Sequence, residues 1–381
     1  MPPTITQLDA VVAALSPEDR ARFDRMYAVN QSTARVVPPK KMEGWIAKTF
    51  QYLGATPEEV LAVIRAQPIT HVMNRATGQA TLFNAVRASR PIDAKDTTNL
   101  DEEIAKAEGG PFCRPLELTP ANAFGRVPDP APDAPTGQPC LTTAANVAAY
   151  DGWHGLVIFE HHDPLRFRTD AFTVDEVAAT LATARTWAEK AHTADPEARF
   201  FLLMWNCLWK AAASIIHGHA QMVVGRAFHY ARVERLRQDA RRHRADHGAD
   251  YFADLVATHE SLGLAERCGN VAMLAHLTPI KERELVLVAP SYEDPDLPLA
   301  VWRGLKTFAA LGVESYNLAV HTPPLGEPDP DWDGFPTVVY LVDRGDPGSR
   351  TTDVGGMELY ASSVVAADPF GVAEVLRHTG G

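Results

Sequence analysis

The stretch SIIHGHAQMVV, residues 214–224, sets two histidines and a glutamine at alternate positions of an otherwise apolar run. Side chains on an extended strand alternate between faces, so His217, His219 and Gln221 share one side, while Gly218 and Ala220 lie on the other and allow close packing behind the row. An imidazole in such a row can act as a nucleophile, because it is neutral near pH 7 and its second nitrogen can be oriented by a hydrogen bond to a carbonyl. A glutamine two residues on can donate to an oxygen of the group under attack. The competing chemistry is a metal site, since H-x-H on a strand also presents two imidazoles to one ion.

Around this row the chain repeats itself. NVAAYDGWHGLVIFEHHDP (146–164), a helical pattern at about 174 to 192, the strand-like RFFLLMWNC and then the opening stretch form one series. NVAMLAHLTPIKERELVLVAP (270–290), a helical pattern at about 297 to 311, YNLAVHTP and FPTVVYLVD form a second series in the same order. The spacing predicts a β-β-α-β-β duplication. The second series has no counterpart of HGHAQ, so only one half can carry that chemistry. Upstream, residues 6 to 66 read as helical, with a helix start at Ser16-Pro17-Glu18-Asp19, and short β-like runs follow around ATLFNAV. RVPDPAPDAPTGQP (126–139) reads as a surface loop.

The 381 residues carry a formal charge of −12, which argues against nucleic-acid backbone or an anionic membrane as the main partner and leaves only local phosphate sites. Cys113, Cys140, Cys207 and Cys268 are far apart and show no C-x-x-C spacing, which fits reduced thiols in the cytoplasm. No signal-peptide pattern opens the chain and no apolar run is long enough to span a bilayer.

The run NCLWKAAASIIHGHAQ (206–221) resembles the active-site segment of the galactose-1-phosphate uridylyltransferase-like enzymes of the histidine-triad superfamily. That family has an asparagine eleven residues before the first histidine of the row and a serine three before it, which are Asn206 and Ser214 here. The resemblance implies that His219 becomes covalently nucleotidylated, that Gln221 holds the α-phosphate oxygen, and that Ser214 and Asn206 contact phosphates or order the loop. NRATGQATLFNAVRASRP (74–91) is similar to a second family segment and implies phosphate or sugar contacts from Arg87 and Arg90, whose guanidinium groups suit bidentate phosphate binding.

GPFCRPLELTP (110–120) resembles the family's C-x-x-C turn, with Phe112 beside the site and Gly110 in place of the first cysteine. In zinc-bearing members this would leave Cys113, His162 and His217, one ligand short of a tetrahedral site. A packed Cys113 thiol and a His217 that merely supports His219 form the metal-free alternative. No organic cofactor is expected, and DWDGFPTVVYLVDRG (331–345) lacks the histidines of the family's second metal site. Glu358, in DVGGMELYASSVV, matches the sugar-contacting glutamate, whereas the glutamine expected after it falls near Val364. The arginine-rich ARVERLRQDARRHR (231–244) reads as a solvated helix face with i,i+4 charge pairs, or as the lining of a phosphate entrance.

The resemblance covers roughly residues 70 to 375. It implies an α+β fold in which two histidine-triad-like halves join their antiparallel strands in one sheet, as a homodimer. The expected units are a helical extension (1–66), a half bearing the motif (67–230) and a half without it (231–381). The expected activity is transfer of a nucleoside monophosphate between a nucleotide sugar and a sugar 1-phosphate. Phosphorolysis of a nucleotide sugar or a diadenosine polyphosphate by inorganic phosphate is the alternative, and a non-catalytic nucleotide-binding protein is the third reading.

Overall fold

The computed structural model describes residues 2–89, 99–127, 141–159 and 172–379. Its centre is a nine-stranded sheet in which every neighbouring pair is antiparallel. A smaller sheet holds β1 (Tyr27–Arg35), β2 (Ala66–Asn74), β3 (Ala80–Phe83) and, near the end of the chain, β13 (Ser363–Val365). The large sheet holds β4 (Leu141–Ala145), β5 (Trp153–Phe159), β6 (Ala198–Cys207) and β7 (His219–Arg226) from one half. From the other half come β8 (Ala265–Cys268), β9 (Val271–Ala275), β10 (Leu285–Ala289), β11 (Tyr316–His321) and β12 (Thr337–Asp343).

The order β4-β5-β7-β6-β11-β12-β10-β9-β8 runs outward from a central β6–β11 pair and reads the same ββαββ series in both directions. The expected duplication is therefore present, and its halves meet where Asn206 pairs with Asn317. The helix Val174–Ala194 opens with a capping box, in which Thr173 accepts from the Glu176 backbone N–H and Glu176 reaches back to Thr173. With Leu297–Ala310 it covers one face of the sheet. Trp187 is fully buried there, with Ala220, Met222, Leu203 and Phe201. The other face of the first half carries the polar row and a separate apolar cluster of Phe112, Ala144, Leu156 and Ile158.

The N-terminal reading needs correcting. Residues 6 to 66 are not wholly helical: 27–35 is a strand, and it pairs along its full length with 66–74. A boundary at 66/67 would cut that pair. The strand escapes a search for apolar periodicity because most of its side chains are exposed at a sheet edge. Nor is the segment an appendage. Arg25 forms a two-pronged ion pair with buried Asp254 at 2.7 and 2.8 Å, and the Ile5 N–H donates to Asp368. Strand β13 closes the small sheet by pairing parallel to β3. The proline-rich passage lies mostly outside the described residues.

Candidate active site

His219 is the first residue of β7 and is buried. Its Nδ1 lies 2.8 Å from the His217 carbonyl. A carbonyl oxygen can only accept, so Nδ1 carries the proton and Nε2 keeps its lone pair. Among the described residues no hydrogen bond uses Nε2. Burial depresses the His219 pKa below the ordinary 6.5, outweighing the His217 carbonyl, which favours the charged form. The result is a neutral imidazole with one aimed, unprotonated nitrogen.

Its surroundings come from register. Ile158 of β5 faces His219 across the ladder and Leu156 faces Gln221, giving an apolar floor. Phe112 sets its ring edge-on to His219 at 5.1 Å and to His217 at 6.2 Å. The segment carrying Phe112 is held down by Arg126. That guanidinium donates to the carbonyls of Thr143 and Thr119 at 2.6 Å and of Pro115 at 3.1 Å. Behind the row, a Cβ on Gly218 would come within 2.6 Å of the Phe159 ring, which explains the glycine between the two histidines.

Gln221 is oriented by a residue that the sequence reading did not single out. The Tyr150 backbone N–H donates to His154 Nδ1 at 3.1 Å, so the neutral ring carries its proton on Nε2 and donates to Gln221 Oε1 at 3.2 Å. Burial holds His154 below its ordinary pKa despite that bond, which keeps the ring neutral. With its oxygen occupied, Gln221 turns its NH2 outward as a donor. Asn206 is fixed in the same sense, its Oδ1 accepting from Asn317 at 2.6 Å. Alternation and register put Asn206 on the same face as Gln221. Neither His154 nor Asn317 could be found from local pattern, because only strand pairing makes them neighbours.

The remaining expected residues divide. Ser214 is exposed in the loop before β7, and Arg87 is exposed on the 3-10 turn Ala85–Ser89 beside the small sheet. Glu358 is engaged by Lys281 at 3.2 Å and by the Gly355 N–H at 2.8 Å. Burial opposes its ionisation, yet these donors hold its carboxyl below the usual value. Arg90 and His162 lie outside the described residues.

His217 donates from Nε2 to the Phe159 carbonyl at 2.5 Å, and Cys113 Sγ lies 3.5 Å from its Nδ1. An imidazole so held is the arrangement metal ligands adopt. Yet no group of three or more His, Cys, Asp or Glu that could hold a metal occurs among the described residues, and a structural zinc needs four donors. Cys113 and His217 are the described members of the expected set, and His162, the third, lies outside the described residues. With the proton on Nε2, Nδ1 is the nitrogen that faces the Cys113 sulfur, and no step below runs through a metal.

The arginine-rich helix Ala231–His247 carries an expected i,i+4 charge pair, Arg235–Asp239 at 3.7 Å, and an i,i+3 pair, Arg242–Asp239 at 3.0 Å. A cleft of about 860 Å³ lies between it and the turn at Arg75 to Gly78. Both are at the far end of β7, roughly 23 Å from His219 at 3.3 Å per residue. They are not the entrance to this site.

The fold, with nine antiparallel strands in mirrored ββαββ order, matches solved structures along most of the chain. An ADP-glucose phosphorylase from Arabidopsis thaliana with bound ADP-glucose superposes with a TM-score of 0.60, at 17% identity, over 80% of this chain and 97% of that one. The fold is that of the galactose-1-phosphate uridylyltransferase-like proteins. A "galt-like" protein from Arabidopsis thaliana shares this uridylyltransferase-like fold with a TM-score of 0.57 and 17% identity, over 80% of this chain and 97% of that one. A uridylyltransferase mutant shares it with a TM-score of 0.55 and 15% identity, over 81% and 96%. No family model matches the sequence, and no curated protein matches it. The uridylyltransferase-like fold is thus carried by a sequence only 15–17% identical to these structures.

Proposed function

We propose that the protein is a nucleotidyl-transfer enzyme that works through a covalent nucleotidyl-His219. The observation that carries this reading is the fixed tautomer of His219: Nδ1–H is held by the His217 carbonyl and Nε2 is left as the nucleophile. In the first step Nε2 attacks the α-phosphorus of a nucleotide sugar. The N–P bond forms, the bond from phosphorus to the bridging oxygen breaks, and sugar 1-phosphate leaves with the electron pair. The imidazolium so formed keeps its Nδ1–H on the His217 carbonyl, so no proton need move. In the second step a phosphate oxygen of the acceptor attacks the same phosphorus and the N–P bond breaks, restoring neutral His219. The outward NH2 groups of Gln221 and Asn206 suit the charge that builds on the α-phosphate oxygens in both steps.

The acceptor is a sugar 1-phosphate or inorganic phosphate. Phosphorolysis draws support from Glu358, whose carboxylate is already committed to Lys281 and the Gly355 N–H rather than left for a sugar. Incubation with UDP-glucose or ADP-glucose should add the mass of one nucleoside monophosphate, and His219→Ala should abolish this while retaining a cooperative melt. Phosphate and a panel of sugar 1-phosphates, added to the loaded protein, identify the acceptor by which one discharges it. A wild-type protein that gains no mass from either donor or from a diadenosine polyphosphate would rule out the transfer reading and leave a nucleotide-binding one.

A further inference from the structure

The half without the histidine row contributes to the site through a chain of fixed hydrogen bonds. Asp353 accepts two bonds from the Arg344 guanidinium, from Nε at 2.7 Å and Nη2 at 3.0 Å. The third arm of the fork, Nη1, donates to Asn317 Oδ1. Asn317 Nδ2 then donates to the Ala211 carbonyl at 3.0 Å and to Asn206 Oδ1 at 2.6 Å. Each link has one possible direction. A guanidinium only donates, so the group facing it must be the Asn317 oxygen, and a backbone carbonyl only accepts, so the group facing Ala211 must be the NH2. Asn206 consequently has to offer its oxygen to Asn317 and its NH2 to the site.

We propose that Arg344 and Asn317 are positioning residues for nucleotidyl transfer, setting which end of the Asn206 amide faces the phosphate. This rests on the transfer reading above. Flipping Asn206 would set NH2 against NH2 at Asn317 and turn a carbonyl oxygen toward an anionic substrate, exchanging a donor for a repulsive acceptor. The same segment of the second half braces the loop between β6 and β7: Trp209 Nε1 donates to the Pro347 carbonyl at 3.1 Å, and Lys210 Nζ to the carbonyls of Ser349 and Thr351. Arg344 thus stands at the root of a segment that holds both the Asn206 side chain and the loop that follows it.

The test uses Asn317→Asp, which is nearly isosteric and keeps an acceptor for Arg344 but removes the NH2. Asn206 should then reverse, donating to the new carboxylate. With the full-length protein, single-turnover loading of His219 from ADP-glucose or UDP-glucose should slow at least tenfold, with the thermal midpoint within a few degrees of wild type. In an Asn206→Ala background the same change should alter the rate less than twofold, because the group it positions is gone. A purely structural role would slow both backgrounds alike. The Asn206 side-chain NH2 resonances, assigned by their loss in Asn206→Ala, give a readout that needs no turnover: they should shift in Asn317→Asp and broaden in Arg344→Met. Unmoved resonances, or equal slowing in both backgrounds, overturn the inference. A wild-type protein that fails to load while the resonances respond as expected overturns the transfer reading and leaves the positioning chain standing.

Discussion

At the scale of single residues, the site is a set of neutral rings and amides whose direction is fixed by backbone groups and by neighbouring side chains. Because burial depresses the His219 pKa, its unprotonated form dominates through the physiological range. The loading rate should stay flat from about pH 8 down to about pH 6.5 and fall only in more acid solution, as pH drops through the depressed folded value. A rate that titrates at or above 6.5 would count against the assignment. Gly218→Ala should destabilise the fold by about 1–3 kcal/mol, since its Cβ would overlap the Phe159 ring; chemical denaturation measures the loss. Ala212 sits at φ 67° in the loop before the row. That left-handed conformation costs a residue with a Cβ about 1 kcal/mol, so Ala212→Gly should raise stability by about 0.5–1 kcal/mol. The row itself was legible in the sequence, because alternation alone places His217, His219 and Gln221 together. Their partners His154, Asn317 and Arg344 were not, since each is brought in by strand register or by a loop far along the chain.

At the scale of elements, the strands and helices of the duplicated core follow apolar periodicity closely. The helix expected at about 174 to 192 is Val174–Ala194, and that at about 297 to 311 is Leu297–Ala310. Strand β1 was missed because an edge strand with exposed polar residues has no period to read. The small sheet shares the apolar core of the large one through Tyr27, Val72, Phe83 and Val365, and polar contacts at the turn between β9 and β10 add to this. Thr81 donates to the Pro279 carbonyl at 2.7 Å, Gln79 to the Thr278 carbonyl at 2.6 Å, and Glu282 accepts from the N–H groups of Ala366 and Ala367. Thr81 is fully buried. Thr81→Val therefore leaves a buried carbonyl without its donor, and should cost about 1–3 kcal/mol while leaving His219 loading intact. Comparing the urea midpoint with the loading rate checks both halves of that expectation.

At the scale of the molecule, acid should be the weak flank. Burial pushes His229 down to about 4, and His259 and His321 down to about 3, so each binds its proton more weakly folded than unfolded. Their contribution to stability is complete above about pH 6.5 and is lost as pH falls toward those folded values, at up to about 1.4 kcal/mol per pH unit for each histidine that responds fully. Urea midpoints between pH 7 and pH 4.5 should fall steeply, and a flat profile would contradict the buried neutral state of these rings. Strand β13 bears on another property. It pairs with β3 across about three-quarters of the chain's length, Ser363 opposite Thr81, and the Asn84 N–H is bonded to the Val365 carbonyl. Closing so long a loop is entropically slow. During synthesis β1, β2 and β3 emerge early and must wait for residues 363–365 to clear the ribosome before their sheet is complete. Until then β3 presents an unpaired edge, so the nascent chain is the form of this protein most in need of a chaperone.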